Sequence, residues 1–251
     1  MSGQGSHDRA ALVTGGARGI GLAIVEALAA RGDRVTIADV DLENAEASAS
    51  ALDERGYPVA AVALDVTDVA QVHRVLAEVD GEQALTTVVC NAGLGLLGGA
   101  LDTSEEDFDR LLAVNLKGVF FTMQAALRLM VPRGTGSVVS ISSTSGFTAS
   151  STPMAAYDLS KAAVRMLTTA AAREVGRTGV RVNAVAPGTV GTDLVRAVLS
   201  DEAIARLEQE RIPVGRLAEP REIAAAVAWL SSDDASYVTG HTLVADGGWL
   251  T

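Results

Sequence analysis

The chain has 251 residues, 48% of them hydrophobic, enough to bury a full core, and α/β folds of this size often form one domain. Against 20 basic side chains stand 31 acidic ones, and the formal charge of -11 repels phosphodiester backbones and acidic partners, which argues against nucleic-acid binding. One cysteine, Cys90, allows no internal disulfide, three scattered histidines offer no metal cluster, and no apolar run reaches the roughly 18 residues of a membrane span. The polar start, Met1 to Arg9, has no apolar signal core, so a soluble, cytoplasmic protein is expected. From there the chain alternates strand-like and helical patterns. The apolar run Ala10 to Val13 breaks into Thr14-Gly-Gly-Ala-Arg-Gly-Ile-Gly21 and opens a helix over Ile20 to Arg31. Glycines admit torsions closed to other residues and let the main chain approach a pyrophosphate, while the dipole of the following helix attracts its charge. Gly15, Gly19 and Gly21 are therefore expected to seat a dinucleotide, with Asp39 in the acidic position that such a fingerprint places about 20 residues on.

The pattern then repeats: Arg34 to Asp39 and Leu42 to Arg55; Val59 to Asp65 and Val69 to Val79; Thr87 to Asn91 and a long helix, Glu105 to Val131. Further strands are expected at Ser137 to Ile141, Val180 to Ala186 and Thr242 to Ala245, with helices at Tyr157 to Arg177 and Pro220 to Leu230. Short apolar strands joined by helices predict one α/β domain over residues 1–251, a doubly wound, Rossmann-type parallel sheet of about seven strands covered on both faces. Ligands of such sheets bind beyond the carboxyl ends of the strands. The irregular stretch Gly188 to Arg216 carries Leu194, Val195, Val198, Leu199, Ile204 and Leu207, and a connection this long predicts a substrate lid over residues 189–216.

Tyr157 and Lys161 stand four apart, on one helix face. A lysine cation there stabilises a phenolate, so Tyr157 can exchange protons with a substrate hydroxyl or carbonyl oxygen. The run Val138 to Gly146 ends a strand in hydroxyls, and Ser143 is placed to hydrogen-bond an oxygen on which charge develops. Asn115, an amide in an apolar stretch, must satisfy backbone groups or hold a water.

With these motifs the sequence resembles the short-chain dehydrogenase/reductase family from about Arg9 to Trp249: Thr14 to Gly21, Asp65-Val66, Asn91-Ala92-Gly93, Asn115, Ser143, Tyr157 to Lys161, and Asn183 to Gly188 leading to Thr192. The resemblance implies an oxidoreductase moving hydride reversibly between a nicotinamide cofactor and a secondary alcohol or ketone, with no metal. It implies Tyr157 as acid/base, Ser143 on the substrate oxygen, Lys161 on the nicotinamide ribose, and Asn115 holding a water. Ser142 and Thr144 remain alternatives to Ser143. By the same resemblance the cofactor lies along Gly15, Arg18, Gly19, Ile20, Gly21, Asp39, Asp65, Val66, Asn91, Ala92, Gly93, Tyr157, Lys161, Pro187, Gly188, Val190 and Thr192. Asp39 accepts from ribose hydroxyls and repels a 2'-phosphate, which favours NAD over NADP despite the counter-evidence of Arg18. Apolar residues expected to line the pocket, Leu94, Leu96, Leu97, Phe147, Met154, Leu194, Val195 and Val198, favour a hydrophobic small-molecule substrate. A 3-oxoacyl-carrier-protein reductase is the alternative activity, and a catalytically silent dinucleotide sensor the alternative class. The helix over Phe108 to Val131 is apolar almost all round, and the resemblance makes it part of a homotetramer.

Overall fold

The strands β1 (Ala10–Thr14), β2 (Arg34–Asp39), β3 (Val59–Ala63), β4 (Leu85–Cys90), β5 (Gly136–Ile141), β6 (Val180–Pro187) and β7 (Thr242–Ala245) form one parallel sheet in the order β3-β2-β1-β4-β5-β6-β7. This is a computed structural model, and it describes residues 9–192, 195 and 200–251. The strand order reverses between β1 and β4, and sheets of this kind bind their ligands in a crevice beyond the carboxyl ends of the strands at such a point. Burial on both faces explains why β1 is apolar from Ala10 to Val13: all five of its residues are buried, the closing Thr14 included.

Alternate strand residues feed two cores. Ala11 and Val13 face a layer that includes α1 (Gly19–Ala30), α2 (Leu42–Asp53) and, near the C-terminus, Pro220–Leu230, whereas Ala10 and Leu12 face the opposite layer. That second layer is built from α3 (Val69–Glu82), the segment Glu105–Met130 and Ala155–Val175. Asp41, Asp68 and Ser104 cap the helices that follow them by accepting backbone amides, which fixes where those helices start.

The long helix expected over Glu105 to Val131 is broken. It runs as α4 (Glu105–Leu112), a π-helical stretch Ala113–Gly118, and α5 (Val119–Met130). The wider turn accompanies two local demands: the fully buried Asn115 bonds back to the chain after β4, and Gly118 meets Val66 so closely that a Cβ would lie 2.8 Å from its Cγ2. The next helix, α6 (Ala155–Val175), starts two residues before the expected Tyr157 and stops short of Arg177. Between β6 and the last long helix, Val190 and Ala218 form an isolated bridge that closes the neck of the expected lid. Within that segment lies α7 (Asp201–Glu210), whose Ile204 packs with Ile212 and Leu217 in a small core of its own, joined by Val195 and Trp249. Leu194, Val198 and Leu199 lie outside the described residues. The final long helix, α8 (Pro220–Leu230), opens with a capping box between Glu219 and Glu222. Among the described residues no helix is long and apolar enough to cross a membrane.

Candidate active site

At the turn from β1 into α1, Gly15 and Gly19 adopt positive φ, 63° and 57°. A Cβ on Gly15 would lie 2.8 Å from Ala92 Cα, and one on Gly21 would lie 2.0 Å from the Gly15 carbonyl oxygen. Two glycines are thus required by close backbone approach, and the cradle they leave fits a pyrophosphate facing the amides at the start of α1. Asn91 fastens this turn to the end of β4: its Nδ2 donates to the carbonyls of Thr14 (2.9 Å) and Gly15 (2.8 Å). Gly19 lies beside Thr192 across the crevice, since a Cβ there would be 3.6 Å from Thr192 Cγ2. Asp39 sits at the end of β2 with Oδ2 accepting from the amide of Ala17 (3.0 Å) and Oδ1 from that of Asp41 (3.1 Å). Arg18, at the cap of α1, is exposed, and Val40 is exposed beside Asp39.

The remaining nucleotide-side residues are spread along the same rim. Ile20 is half-buried in α1, Val66 is buried against Gly118, and Asp65 is exposed with its carboxylate accepting from the amide and hydroxyl of Thr67. Pro187 ends β6, Gly188 packs on Asp246, and Val190 is buried in the neck bridge.

At the substrate end the structure brings Ser143, Tyr157, Lys161 and Asn115 together. Ser143 follows β5 and its side chain hydrogen-bonds Tyr157. Ser142 is committed elsewhere, donating to the Lys161 carbonyl at 2.9 Å, and Thr144 is buried, so Ser143 is the hydroxyl that meets the tyrosine. Lys161 Nζ lies 5.6 Å from the Tyr157 ring centre and donates to the Ile141 carbonyl at 3.0 Å. Gly93 leaves room between Asn115 and Lys161: a Cβ there would be 3.5 Å from both Asn115 Oδ1 and Lys161 Nζ. Asn115 grips both backbone groups of Leu94, accepting its amide at 2.7 Å and donating to its carbonyl at 2.9 Å, and reaches Ser160, whose hydroxyl bonds the Tyr157 carbonyl.

Electrostatics differ from the expectation at one point. Burial is the largest influence on both ionisable groups: it raises the Tyr157 phenol, partly opposed by the Ser143 hydrogen bond, and pushes the Lys161 ammonium down to about 8. The expected lowering of Tyr157 by Lys161 does not enter the balance: desolvation disfavours charge on either side chain, and Asp158 adds to the rise at Tyr157.

Two supporting hydroxyls were not singled out from sequence. Thr14 Oγ1 is buried and accepts from the amides of Asn91 and Ala92, and Ser160 links Asn115 to Tyr157. A hydroxyl closing an apolar strand was the available signal for Thr14. The apolar residues Leu94, Leu97 and Phe147 are exposed, while Leu96, Met154 and Val195 are half-buried.

The family described as Enoyl-(Acyl carrier protein) reductase matches residues 15–250. The chain is 40% identical to galactitol 2-dehydrogenase (L-tagatose-forming) of Cereibacter sphaeroides over 241 residues, covering 95% of this chain and 94% of that one. Its fold is similar to the crystal structure of gox2181, with a TM-score of 0.94 and 35% identity over 97% of this chain and 96% of that one. It is also similar to a gluconate 5-dehydrogenase from Burkholderia cenocepacia solved with NADP and tartrate, with a TM-score of 0.91 and 34% identity over 96% and 95%.

Proposed function

The chain belongs to the short-chain dehydrogenase/reductase family and is a nicotinamide-dependent oxidoreductase acting on secondary alcohols and ketones; from that premise we propose the roles of its residues, its cofactor and its substrate class. Tyr157 gives its proton to a substrate carbonyl oxygen in reduction and takes it back in oxidation. The observation that carries this reading is the Ser143–Tyr157 hydrogen bond with Lys161 Nζ beside the same ring. Ser143 holds the substrate oxygen through its hydroxyl, and Lys161 holds a nicotinamide ribose and favours the phenolate once a substrate oxygen shares the site. Asn115 fixes the Leu94 backbone and orders a water behind Lys161. The bound nicotinamide supplies or accepts the hydride.

The cofactor would lie along Gly15, Arg18, Gly19, Ile20 and Gly21, past Asp39, Asp65, Val66, Asn91, Ala92 and Gly93, to Pro187, Gly188, Val190 and Thr192. NAD is the preferred form, because the Asp39 carboxylate is held toward the glycine turn by two amides and a 2'-phosphate there meets a like charge. The exposed Arg18 can swing away at little cost, such surface pairs being worth about 0 to 1 kcal/mol. Leu94, Leu97 and Phe147 present apolar surface, supporting a hydrophobic alcohol or ketone, with residues 189–216 as its lid. Phe120 on α5, Leu159 and Met166 on α6 and Trp229 on α8 leave apolar side chains exposed on two faces, supporting a homotetramer built through the long helices and the C-terminal strand region. A cytoplasmic enzyme of one domain fits this reading.

The test is a panel of ketones and alcohols, polyols included, assayed with NAD and NADP by nicotinamide absorbance. Higher catalytic efficiency with apolar substrates and with NAD is expected, and Asp39→Ala combined with Val40→Arg should move the cofactor ratio toward NADP. A wild-type preference for NADP or for polyols overturns the corresponding half of the proposal. Light scattering at micromolar concentration checks the tetramer, and a monomeric mass removes it.

A further inference from the structure

The turn that carries Ser143 is tied to α6 by a circuit of side chains that the resemblance does not assign. Ser143 Oγ accepts the amide of Ser145 at 3.1 Å, so its own proton is left to donate toward the Tyr157 oxygen. Ser145 Oγ lies 2.9 Å from Ser150 Oγ. Ser150 in turn gives both its donors to one carboxylate, its hydroxyl to Asp158 Oδ1 at 2.6 Å and its amide to Asp158 Oδ2 at 3.0 Å. Asp158 is the residue next to Tyr157, so the circuit closes on itself: Ser143, Ser145, Ser150, Asp158, the α6 backbone, Tyr157 and Ser143 again.

We propose that Asp158 is a positioning residue, which through Ser150 and Ser145 sets the distance between the Ser143 and Tyr157 hydroxyls; this role rests on the reading of those two residues given above. Three observations support it. The bond between Ser150 and the carboxylate is charge-assisted and two-pronged, the strongest kind available to a loop of small polar residues. Its negative charge works against a phenolate at Tyr157, so electrostatics give no reason for a carboxylate here and geometry does. Between the 3-10 turn Thr144–Gly146 and the isolated bridge of Met154 to Gly98 the loop has no regular structure, so the placement of Ser150 depends on such ties. Arg165 secures the near end independently, donating to the Gly146 carbonyl at 2.5 Å and stacking its guanidinium 3.5 Å from the centre of the Phe147 ring. With the turn held by Arg165 and the end of the loop by the Met154–Gly98 bridge, removing Asp158 frees the Ser150 stretch between them, through which Ser145 is aimed.

The experiment is steady-state kinetics on the full-length protein with the best substrate of the panel. Asp158→Ala is expected to lower kcat by about 10- to 100-fold, the scale on which small misplacements of reacting groups act, with the dissociation constant of the cofactor unchanged. Asp158→Asn keeps an acceptor oxygen without the charge and should fall between wild type and Asp158→Ala, a partial rescue that a general loss of folding would not give. Ser150→Ala removes only the bridging hydroxyl, and the double variant should be no slower than Asp158→Ala alone, because the two act as one tie. Wild-type kcat in Asp158→Ala or in Ser150→Ala, or additive losses in the double variant, overturns the positioning role. Tyr157→Phe, run in parallel, separates the two readings. If it is inactive while Asp158→Ala is fully active, only the positioning role falls; if it turns over like wild type, the acid/base reading falls and the positioning role with it.

Discussion

The two ends of the crevice are built by opposite means. At the nucleotide end the shape comes from missing atoms: Gly15 and Gly21 sit where a Cβ would press on Ala92 or on the Gly15 carbonyl, and Asn91 and Asp39 spend their hydrogen bonds on backbone groups. At the substrate end it comes from side chains that bond one another, Ser143 to Tyr157, Asn115 to Ser160, and Asp158 to Ser150, each pair joining α6 to a loop or to the π-helical break. The first kind of site tolerates no added volume; the second tolerates volume and fails when a donor or acceptor is lost.

The sharpest test of this contrast is at Tyr157. Tyr157→Phe conserves shape and deletes one proton, so turnover should fall by about 10²- to 10⁴-fold, the usual worth of a positioned acid/base, while cofactor affinity by fluorescence titration stays near wild type. Lys161→Ala should lower both. A Tyr157→Phe enzyme of normal turnover would erase the distinction.

Next in size is the effect of pH on Lys161. Its ammonium sits near 8 in the fold against 10.5 unfolded, so between those values the unfolded chain binds the extra proton and stability of the unliganded protein rises with pH. The slope should be about 1.4 kcal/mol per pH unit, summing to about 3 kcal/mol across the window. Above pH 10 Tyr157 opposes it, since its folded value is raised and the unfolded tyrosine ionises first. Urea melts from pH 8 to 10 should show the rise in wild type and lack it in Lys161→Met; an equal slope in both would mean that the folded lysine keeps its proton over this range and that burial does not lower it.

Gly21→Ala should be smaller in free energy but opposite in kind. One methyl placed 2.0 Å from the Gly15 oxygen must displace the turn, costing about 1–3 kcal/mol of stability and weakening cofactor binding, with no selective effect on kcat at saturating cofactor. An alanine enzyme with normal melting temperature and cofactor affinity would show that the turn has slack.

Sequence alone determined the periodic parts. Short apolar strands alternating with capped helices led to the parallel sheet, because burial on both faces leaves no other pattern for Ala10 to Val13 of β1, and glycines placed between strand and helix marked the tight turn into α1. The Tyr157 and Lys161 pair was equally legible, since four residues on a helix set a spacing without further context. What tertiary structure decided depends on partners distant in the chain. It broke the helix at Ala113–Gly118, where Asn115 reaches 21 positions back to Leu94, and it turned the Ser142 hydroxyl to the Lys161 carbonyl while leaving Ser143 beside Tyr157. It also reversed the balance at Tyr157, because the free energy of a charge depends on how much water the whole fold excludes from it, a quantity that no local spacing contains.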